Sequence, residues 1–224
     1  MNLSCIIVSR SQSGYHREIT KQAIVSSDVE CIVVETFPNA PPHPKAKETL
    51  FWTKQFNYNA CLNFGIEHTN SEYIALCNND VIFKPGWQKI TEIMEANNLL
   101  SASPFSEYSQ HKHGYLRGNT INYGYWVGHE LLGWCIVVHK DIFQIIGKLD
   151  ESQRFWCSDN AYADQLRVNN IKHALICSCV VNHIRGGSKT LNTLSRQQYK
   201  ELTTDEYNKY SQKEGSHLSE ITKY

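Results

Sequence analysis

Short apolar segments of strand length alternate with helical patterns through the first third of the chain, and this alternation constrains the fold more than any other feature. The apolar segments are residues 3–9, 31–34 and 73–77, and the helical patterns between them cover residues 15–26 and 56–67. Strands that are apolar along their whole length are buried on both faces, as in a parallel sheet covered by helices. The sequence therefore predicts an α/β fold with a mostly parallel central sheet and helices on both faces.

The remaining segments extend this pattern. Further strands are predicted at residues 81–83, 131–139 and 174–181, and further helices at residues 87–97, 141–146 and 158–168, the last with Ser158 or Asp159 at its N-cap. Residues 106–125 are polar and aromatic without a clear period, which indicates a long functional or mobile loop. We expect a single domain at residues 1–190, divided into a nucleotide-binding half at 1–100 and an acceptor half at 101–190. A helical or flexible tail follows at residues 191–224.

The composition is that of an ordinary globular protein. Lys and Arg number 22 and equal the 22 Asp and Glu residues, so no net field draws the whole chain to nucleic acid or to an anionic membrane. The eight cysteines lie mostly inside apolar segments without a C-x-x-C pair, which favours reduced, buried thiols. No apolar segment reaches the ~18 residues of a membrane-spanning helix, and the N-terminus lacks the pattern of a secretion signal. We therefore expect a cytoplasmic protein without membrane insertion.

Polar side chains follow the third apolar strand directly, as Asn78, Asn79 and Asp80. In open α/β sheets, ligands bind at the carboxyl ends of the strands. Oxygen ligands at this edge suit Mg²⁺ or Mn²⁺, which proteins hold with one or two carboxylates and the phosphates of a substrate. The alternative is a polar turn between two strands, since Asn and Asp are common turn residues.

Several short motifs occur in an order that resembles the family 2 glycosyltransferases of the GT-A fold, a Rossmann-like fold. The likeness covers roughly residues 3–188 and is strongest at residues 60–87. The motifs are a strand-end acid, an Asn-x-Gly helix, an Asn-Asn-Asp turn, a Gly-x-x-Asp-Glu segment, an acidic helix start and a late His. They stand here as Glu35, Asn63-Phe64-Gly65, Asn78-Asn79-Asp80, Gly147-Lys148-Leu149-Asp150-Glu151, Asp159 and His183. Their order, more than any one of them, carries the resemblance.

The resemblance implies a metal site and a catalytic base. Asp80 would ligate Mn²⁺ or Mg²⁺ beside the donor diphosphate, with His183 as a further ligand, although a surface His at a strand end is the alternative. The family usually has Asp where this chain has Asn78. Asp159 matches the acid that opens the late helix and would take the proton of the acceptor hydroxyl in an inverting transfer. Its alternative role is simple N-capping.

Further contacts follow from the same likeness or from position in the chain. Contacts to the donor are expected from Ser9, Arg10, Glu35, Asn63, Asn78, Asn79 and Trp134, although Arg10 and Glu35 could also be ordinary surface residues. Weaker candidates for the acceptor are Trp156, Ser158, Arg185 and Lys189. The two tryptophans suit a sugar ring but are equally at home in a core. The two basic residues flank Gly186-Gly187 and could instead reach the diphosphate, or belong to an ordinary surface loop.

The sequence thus predicts a metal-dependent inverting glycosyltransferase that uses a nucleotide-diphosphate sugar. A UDP-sugar is the first candidate for this donor. The acceptor would be a glycan or a hydroxylated base in bacteriophage DNA, in which case the protein would act in the host cytoplasm. For DNA, the basic and aromatic loop at residues 111–117 and Lys45, Lys47 and Lys54 would meet the phosphates. Two other classes remain open. They are a non-catalytic nucleotide-sugar or glycan-binding module, favoured by Asn78, and a nucleotidyltransferase.

Overall fold

This computed structural model describes residues 2–184 and 196–212 of the chain. These residues contain nine strands and seven α-helices. The strands are β1 (Leu3–Ser9), β2 (Glu30–Glu35), β3 (Glu48–Phe51), β4 (Tyr73–Asn78), β5 (Val81–Phe83), β6 (Ser101–Phe105), β7 (Ile121–Tyr123), β8 (Cys135–His139) and β9 (His173–His183). The helices are α1 (Gly14–Ser27), α2 (Tyr58–Ile66), α3 (Ile90–Ala96), α4 (Glu107–Gln110), α5 (Ile142–Ile146), α6 (Ser158–Val168) and α7 (Arg196–Ser211).

The strands form one mixed sheet in the order β3-β2-β1-β4-β8-β6-β9-β5, with β7 also paired to β9. From β3 to β9 only β8 runs against the others, because it is antiparallel to both β4 and β6 while every other pairing on this path is parallel. The short strands β5 and β7 are antiparallel to β9. The predicted α/β fold with a mostly parallel sheet is therefore confirmed, with an antiparallel component that the sequence pattern did not indicate.

Helices cover both faces of the sheet, as predicted. On β1, Cys5 and Ile7 face a core cluster with α1 and α3, whereas Ile6 and Val8 face a second cluster with α2, α5 and α6. Because neighbouring residues of one strand point to opposite faces, a strand buried on both sides must be apolar throughout. The described residues form one α/β domain with a core on each side of the sheet.

Two strands lie where no strand was predicted, and a third lies inside the predicted loop at residues 106–125. Of the four residues of the edge strand β3, only Leu50 is buried, so no hydrophobic pattern marks it. In β6 the small polar residues Ser101 and Ser103 are buried, and both make hydrogen bonds to His173. Strand β8 begins at Cys135 instead of residue 131. These segments are held by partners distant in the chain, and such partners leave no local periodicity.

The ends of three helices bear on the predicted motifs. A Cβ on Gly65 would lie 2.3 Å from Cγ2 of Ile6, so the glycine of the Asn-x-Gly motif lets α2 approach β1 closely. Gly147 ends α5 with φ +73°, as its predicted stop position requires. The predicted N-cap of α6 is wrong. Cys157 holds that position with φ 60° and without a capping side-chain hydrogen bond.

The described part of the tail is helical, since α7 occupies Arg196–Ser211. In residues 2–184 and 196–212 no helix combines the length and the apolar character needed to cross a bilayer. All eight cysteines are buried and free of disulfide bonds.

Candidate functional site

The Asn-Asn-Asp motif forms the turn between β4 and β5, so the turn interpretation is correct in geometry. Unlike ordinary turn residues, however, Asn79 and Asp80 are buried, the latter at 1% exposure. The Asp80 carbonyl accepts a hydrogen bond from the N–H of Ile184 (2.8 Å), which fixes the turn against the end of β9. A buried carboxylate at the carboxyl edge of the sheet needs a compensating charge or hydrogen bonds.

His183 meets Asp80 although the two are far apart in the sequence. The antiparallel pairing of β5 and β9 places His183 opposite Val81, one residue beyond Asp80. As a result, Nε2 of His183 lies 3.1 Å from Oδ1 of Asp80. On its other side the imidazole stacks on the ring of Trp134, with centroids 5.1 Å apart and planes inclined by 3°. The two predicted metal ligands therefore form a pair, held in place by an aromatic ring.

One carboxylate and one imidazole are a partial ligand set for Mn²⁺ or Mg²⁺. Within the described ranges, no group of three or more His, Cys, Asp or Glu side chains is placed to hold a metal ion. Mg²⁺ sites commonly use only one or two carboxylates and complete their coordination with water and substrate phosphates. The Asp80–His183 pair fits a cation of that kind, bound together with its substrate, and does not fit a closed structural metal site.

Asp159, the predicted base, is the second residue of α6 and lies against Gly133. A Cβ at position 133 would come within 2.4 Å of Oδ2 of Asp159, so only glycine leaves room for this carboxyl group. Oδ1 of Asp159 accepts a hydrogen bond from the N–H of Asn160 (3.0 Å). The residue is partly exposed, yet its carboxyl is enclosed by protein, and this burial raises the pKa of Asp159. A carboxylate with a raised pKa is a better proton acceptor.

Gly133 and Trp134 connect the base to the metal pair. Gly133 lies under the Asp159 carboxyl, and its neighbour Trp134 stacks on His183. The Trp134 carbonyl also accepts the backbone N–H of Asn78 (3.0 Å), so the segment before β8 is fixed to the end of β4. Gly133 and Trp134 thus link three of the predicted residues, namely Asn78, His183 and Asp159. Trp134 had been predicted, and Gly133 had been missed.

A buried hydrogen-bond network runs along the carboxyl edge from β2 to the Asn-Asn-Asp turn. Successive side chains lie 2.9–3.2 Å apart, in the order Glu35, His43, Ser11, Ser9, Thr20 and Asn79. All six are buried, which sets Glu35 apart from the exposed strand-end acid considered above. The network joins the ends of three adjacent parallel strands to α1 and to residues 38–44, a proline-rich loop that contains His43.

Two groups fix the direction of hydrogen bonds in this network. Thr20 Oγ1 donates to the carbonyl of His16 (3.0 Å), so towards Ser9 it must accept, and Ser9 donates to it. Nε2 of His43 lies 3.0 Å from Oε2 of Glu35, a carboxylate oxygen that can only accept, and 3.2 Å from Oγ of Ser11. The imidazole of His43 therefore carries a proton on Nε2.

The Glu35 carboxylate is the anionic end of this network. Its Oε1 accepts the backbone N–H groups of Ser11 (3.0 Å) and Phe37 (2.8 Å), and its Oε2 lies 3.0 Å from Nε2 of His43. Burial alone would raise the pKa of Glu35, but these hydrogen bonds, led by that of His43, outweigh burial and hold the pKa at about 2. Glu35 is thus engaged within the protein, and a contact to a donor remains a prediction. His43 was missed because nothing local in the proline-rich loop relates it to Glu35.

Asn63 uses its amide on the segment that leads to α6. Its Oδ1 accepts the N–H of Leu149 (3.0 Å), while its Nδ2 donates to the carbonyl of Leu149 (3.0 Å) and to Oε1 of Glu151 (2.8 Å). The Asn-x-Gly and Gly-x-x-Asp-Glu motifs therefore bind each other. The structure gives Asn63 a positioning role, and its predicted donor contact is untested.

The helix α7 supports the segment before Asp159. Oε2 of Glu206 accepts the backbone N–H groups of Phe155 (3.2 Å) and Trp156 (2.5 Å), and Tyr210 donates to Oδ2 of Asp164 on α6 (2.7 Å). Burial raises the pKa of Glu206 above its ordinary value. The sequence predicted only a helical or flexible tail in this region, and Glu206 carried no signal of its own.

The remaining predicted residues are more peripheral. Arg10 is partly exposed just beyond β1. Ser158 is buried and its hydroxyl donates to the carbonyl of Phe155 (2.8 Å), so it shapes the start of α6. Trp156 is partly buried beside Phe155, with ring centroids 5.0 Å apart. Arg185 and Lys189 lie outside the described residues.

Two cavities accompany this arrangement. The larger, about 390 Å³, lies at the opposite edge of the sheet around Leu3, at the amino end of β1, and none of the predicted site residues lines it. The smaller, about 20 Å³, is lined by Asp159 and Gly133 together with residues of α2, β4, β8 and α6. Since α/β sheets bind ligands at the carboxyl edge, the small cavity is the one associated with the candidate chemistry.

Comparison with known proteins adds no assignment to these observations, since no protein-family model and no curated protein matches the chain.

Proposed function

We propose that the chain is a glycosyltransferase that moves a sugar from a nucleotide-diphosphate sugar to an acceptor hydroxyl. The observation that carries the proposal is the Asp80–His183 pair at 3.1 Å, linked to Asp159 through Gly133 and Trp134. Two candidate ligands for one cation, linked to an enclosed carboxylate base, lie at the carboxyl edge of a mostly parallel sheet. This arrangement suits the transfer of a group from a diphosphate.

The proposed reaction has a simple balance. The acceptor oxygen forms a bond to the anomeric carbon, the bond from that carbon to the diphosphate oxygen breaks, and the nucleoside diphosphate leaves with the electron pair. Asp159 takes the proton of the acceptor hydroxyl. A Mn²⁺ or Mg²⁺ ion held by Asp80 and His183 would neutralise the charge of the leaving diphosphate. Attack from the face opposite the diphosphate gives inversion, which rests on the resemblance to family 2.

The finer fold assignment belongs to the same proposal. We assign the α/β domain to the GT-A type because four adjacent parallel strands end at the predicted donor edge and because the motifs lie in the family's order. The donor nucleoside, a uridine in the first place, would bind where Ser9, Arg10 and Glu35 end β1 and β2. The buried network beneath that edge supports this, since it holds the binding surface rigid before the donor arrives. The acceptor is a glycan or a hydroxylated base in DNA.

A thermal-shift screen with nucleotide sugars, each with and without Mn²⁺, tests the proposal first. A ligand that binds only the folded state at about 100 times its Kd stabilises by about 2.7 kcal/mol. We expect a shift with one donor that requires the metal, followed by release of nucleoside diphosphate from that donor. Binding without release in wild type would indicate a non-catalytic module, and consumption of nucleoside triphosphate a nucleotidyltransferase. If no nucleotide sugar shifts the melting temperature, the proposal is refuted.

A further inference from the structure

Tyr58, the first residue of α2, has a buried hydroxyl group for which the described residues offer no hydrogen-bond partner. The side chain is fixed, since the residue is only 6% exposed and its ring packs edge-on against Phe155 at 6.1 Å. Leaving a buried hydroxyl without a partner costs about 1–3 kcal/mol. Such a cost within a well-packed core calls for an explanation.

The cavity of about 20 Å³ beside Tyr58 supplies one. Tyr58, Asp159, Ser158 and Asn59 are among the residues that line it, together with Leu62, Leu76, Gly133, Ile136, Leu149 and Tyr162, and most of the surface that faces the cavity is apolar. One water-sized group needs about 10–15 Å³ of such volume and two or more polar partners. The cavity therefore has room for a single hydroxyl-sized group and is too small for a sugar ring.

The charges around Tyr58 keep it a donor. Burial in the first place, and then the neighbouring thiols and the carboxylates of Asp80 and Asp159, raise the pKa of Tyr58 well above its ordinary value. The phenol therefore keeps its proton near neutral pH and has it available to donate, while the Asp159 carboxylate can only accept. Both residues line the same small cavity.

Tyr162 provides an internal comparison. It lines the same cavity, but its hydroxyl lies 2.8 Å from Oγ of Ser101 and is therefore satisfied within the protein. Of the two phenols at this cavity, only that of Tyr58 has a hydrogen bond to offer to a bound group, as far as the described residues show.

We propose that Tyr58 and Asp159 together bind the hydroxyl group that reacts. Tyr58 Oη donates a hydrogen bond to the oxygen of this group, and the Asp159 carboxylate accepts its proton. The group is either the acceptor hydroxyl or a water molecule, which would hydrolyse the donor instead. This role for Tyr58 rests on the proposed function, whereas the binding of a hydroxyl-sized group in the cavity stands apart from it.

Two measurements test the proposal. The first is a high-resolution crystal structure of the wild-type chain, in which we expect an oxygen atom within hydrogen-bond distance of both Tyr58 Oη and the Asp159 carboxylate. The second compares Tyr58→Phe with the matched control Tyr73→Phe in two assays, donor hydrolysis without acceptor and sugar transfer with it. Tyr73 is also a buried tyrosine, but it lies at the amino end of β4 and does not line the cavity. We expect Tyr58→Phe to lower kcat about tenfold or more, the size of one hydrogen bond made in the transition state, with an unchanged KM for the donor. Tyr73→Phe should retain the wild-type kcat.

The outcomes separate this inference from the proposed function. Loss confined to transfer identifies the bound group as the acceptor hydroxyl, and loss confined to hydrolysis identifies it as water. A cavity without a bridging oxygen, or a Tyr58→Phe variant as active as Tyr73→Phe, overturns the role of Tyr58 while leaving glycosyl transfer intact. A bridging oxygen in a wild-type protein that turns over no donor refutes the proposed function and supports the binding of a hydroxyl-sized group.

Discussion

The carboxyl group of Asp159 occupies the space that a side chain at position 133 would need, since a Cβ there would come within 2.4 Å of Oδ2. Gly133→Ala should therefore displace the candidate base. We expect loss of nucleotide-sugar turnover together with destabilisation of about 1–3 kcal/mol, the range for overpacking. Urea unfolding and a turnover assay measure the two effects. Gly118→Ala is the control, because no atom lies within 4 Å of a Cβ at position 118. A fully active Gly133→Ala variant would show that the position of Asp159 is unimportant for the reaction.

The pair of Asp80 and His183 predicts a shared dependence on the metal. Either Asp80→Ala or His183→Ala should abolish the Mn²⁺-dependent part of the thermal shift produced by a nucleotide sugar. His139→Ala is the matched control, because its imidazole also lies near carboxylates, 3.6 Å from Glu72 and 3.5 Å from Asp141, but away from the candidate site. If His183→Ala retains the full Mn²⁺ effect and His139→Ala does not, the ligand pair has been misassigned.

The network at Glu35 predicts an acid-sensitive contribution to stability. Because the folded-state pKa is held at about 2, below the ordinary 4.5, this contribution is complete above pH 4.5 and is lost as the pH falls towards 2. A difference of that size corresponds to about 3 kcal/mol. Glu35→Gln should remove this part of the pH dependence, as measured by urea unfolding between pH 2 and pH 7. The exposed Glu18→Gln should leave the profile unchanged, and equal profiles for both variants would contradict the assigned role of Glu35.

Removal of the Asn63 amide should affect the stability of the fold more than the affinity for the donor. Asn63→Ala leaves both backbone groups of Leu149 without their partner, and we expect destabilisation of about 2–3 kcal/mol, together with a lower kcat because the segment before α6 loosens. Binding of the donor, measured by isothermal titration, should change little if the amide only positions that segment. A large loss of affinity with normal stability would instead support the direct donor contact predicted from the sequence.

Glu206 predicts that α7 contributes to activity from a distance. Glu206→Ala removes the acceptor of two backbone N–H groups before Asp159, so we expect a loss of about 1–3 kcal/mol and a reduced turnover rate. Because the folded-state pKa of Glu206 is raised, the stability linked to its titration increases as the pH falls through that pKa and is least at higher pH. Asp205→Ala on the exposed side of the same helix is the control for both effects. Wild-type turnover by Glu206→Ala would confine α7 to a structural role.

Local sequence patterns were sufficient for those elements that show their burial in their own composition. The continuous apolar segments of β1, β2 and β4 and the helical spacing of α1, α2 and α6 were all predicted, because a strand or helix packed in the core must be apolar on every face that it buries. The strands β3 and β6 could not be found in this way. The first has one buried residue, and the second buries two serines whose partner is His173.

The sequence by itself determined the α/β class of this protein and the set of polar residues that follow the strands. Only the tertiary structure decided which of them meet. The pairing of β5 with β9 brings His183 to Asp80, the segment before β8 brings Gly133 to Asp159, and the proline-rich loop brings His43 to Glu35. The physical reason is that periodicity records how a segment meets solvent and core, whereas hydrogen-bond and ion-pair partners are chosen by the packing of segments distant in the chain.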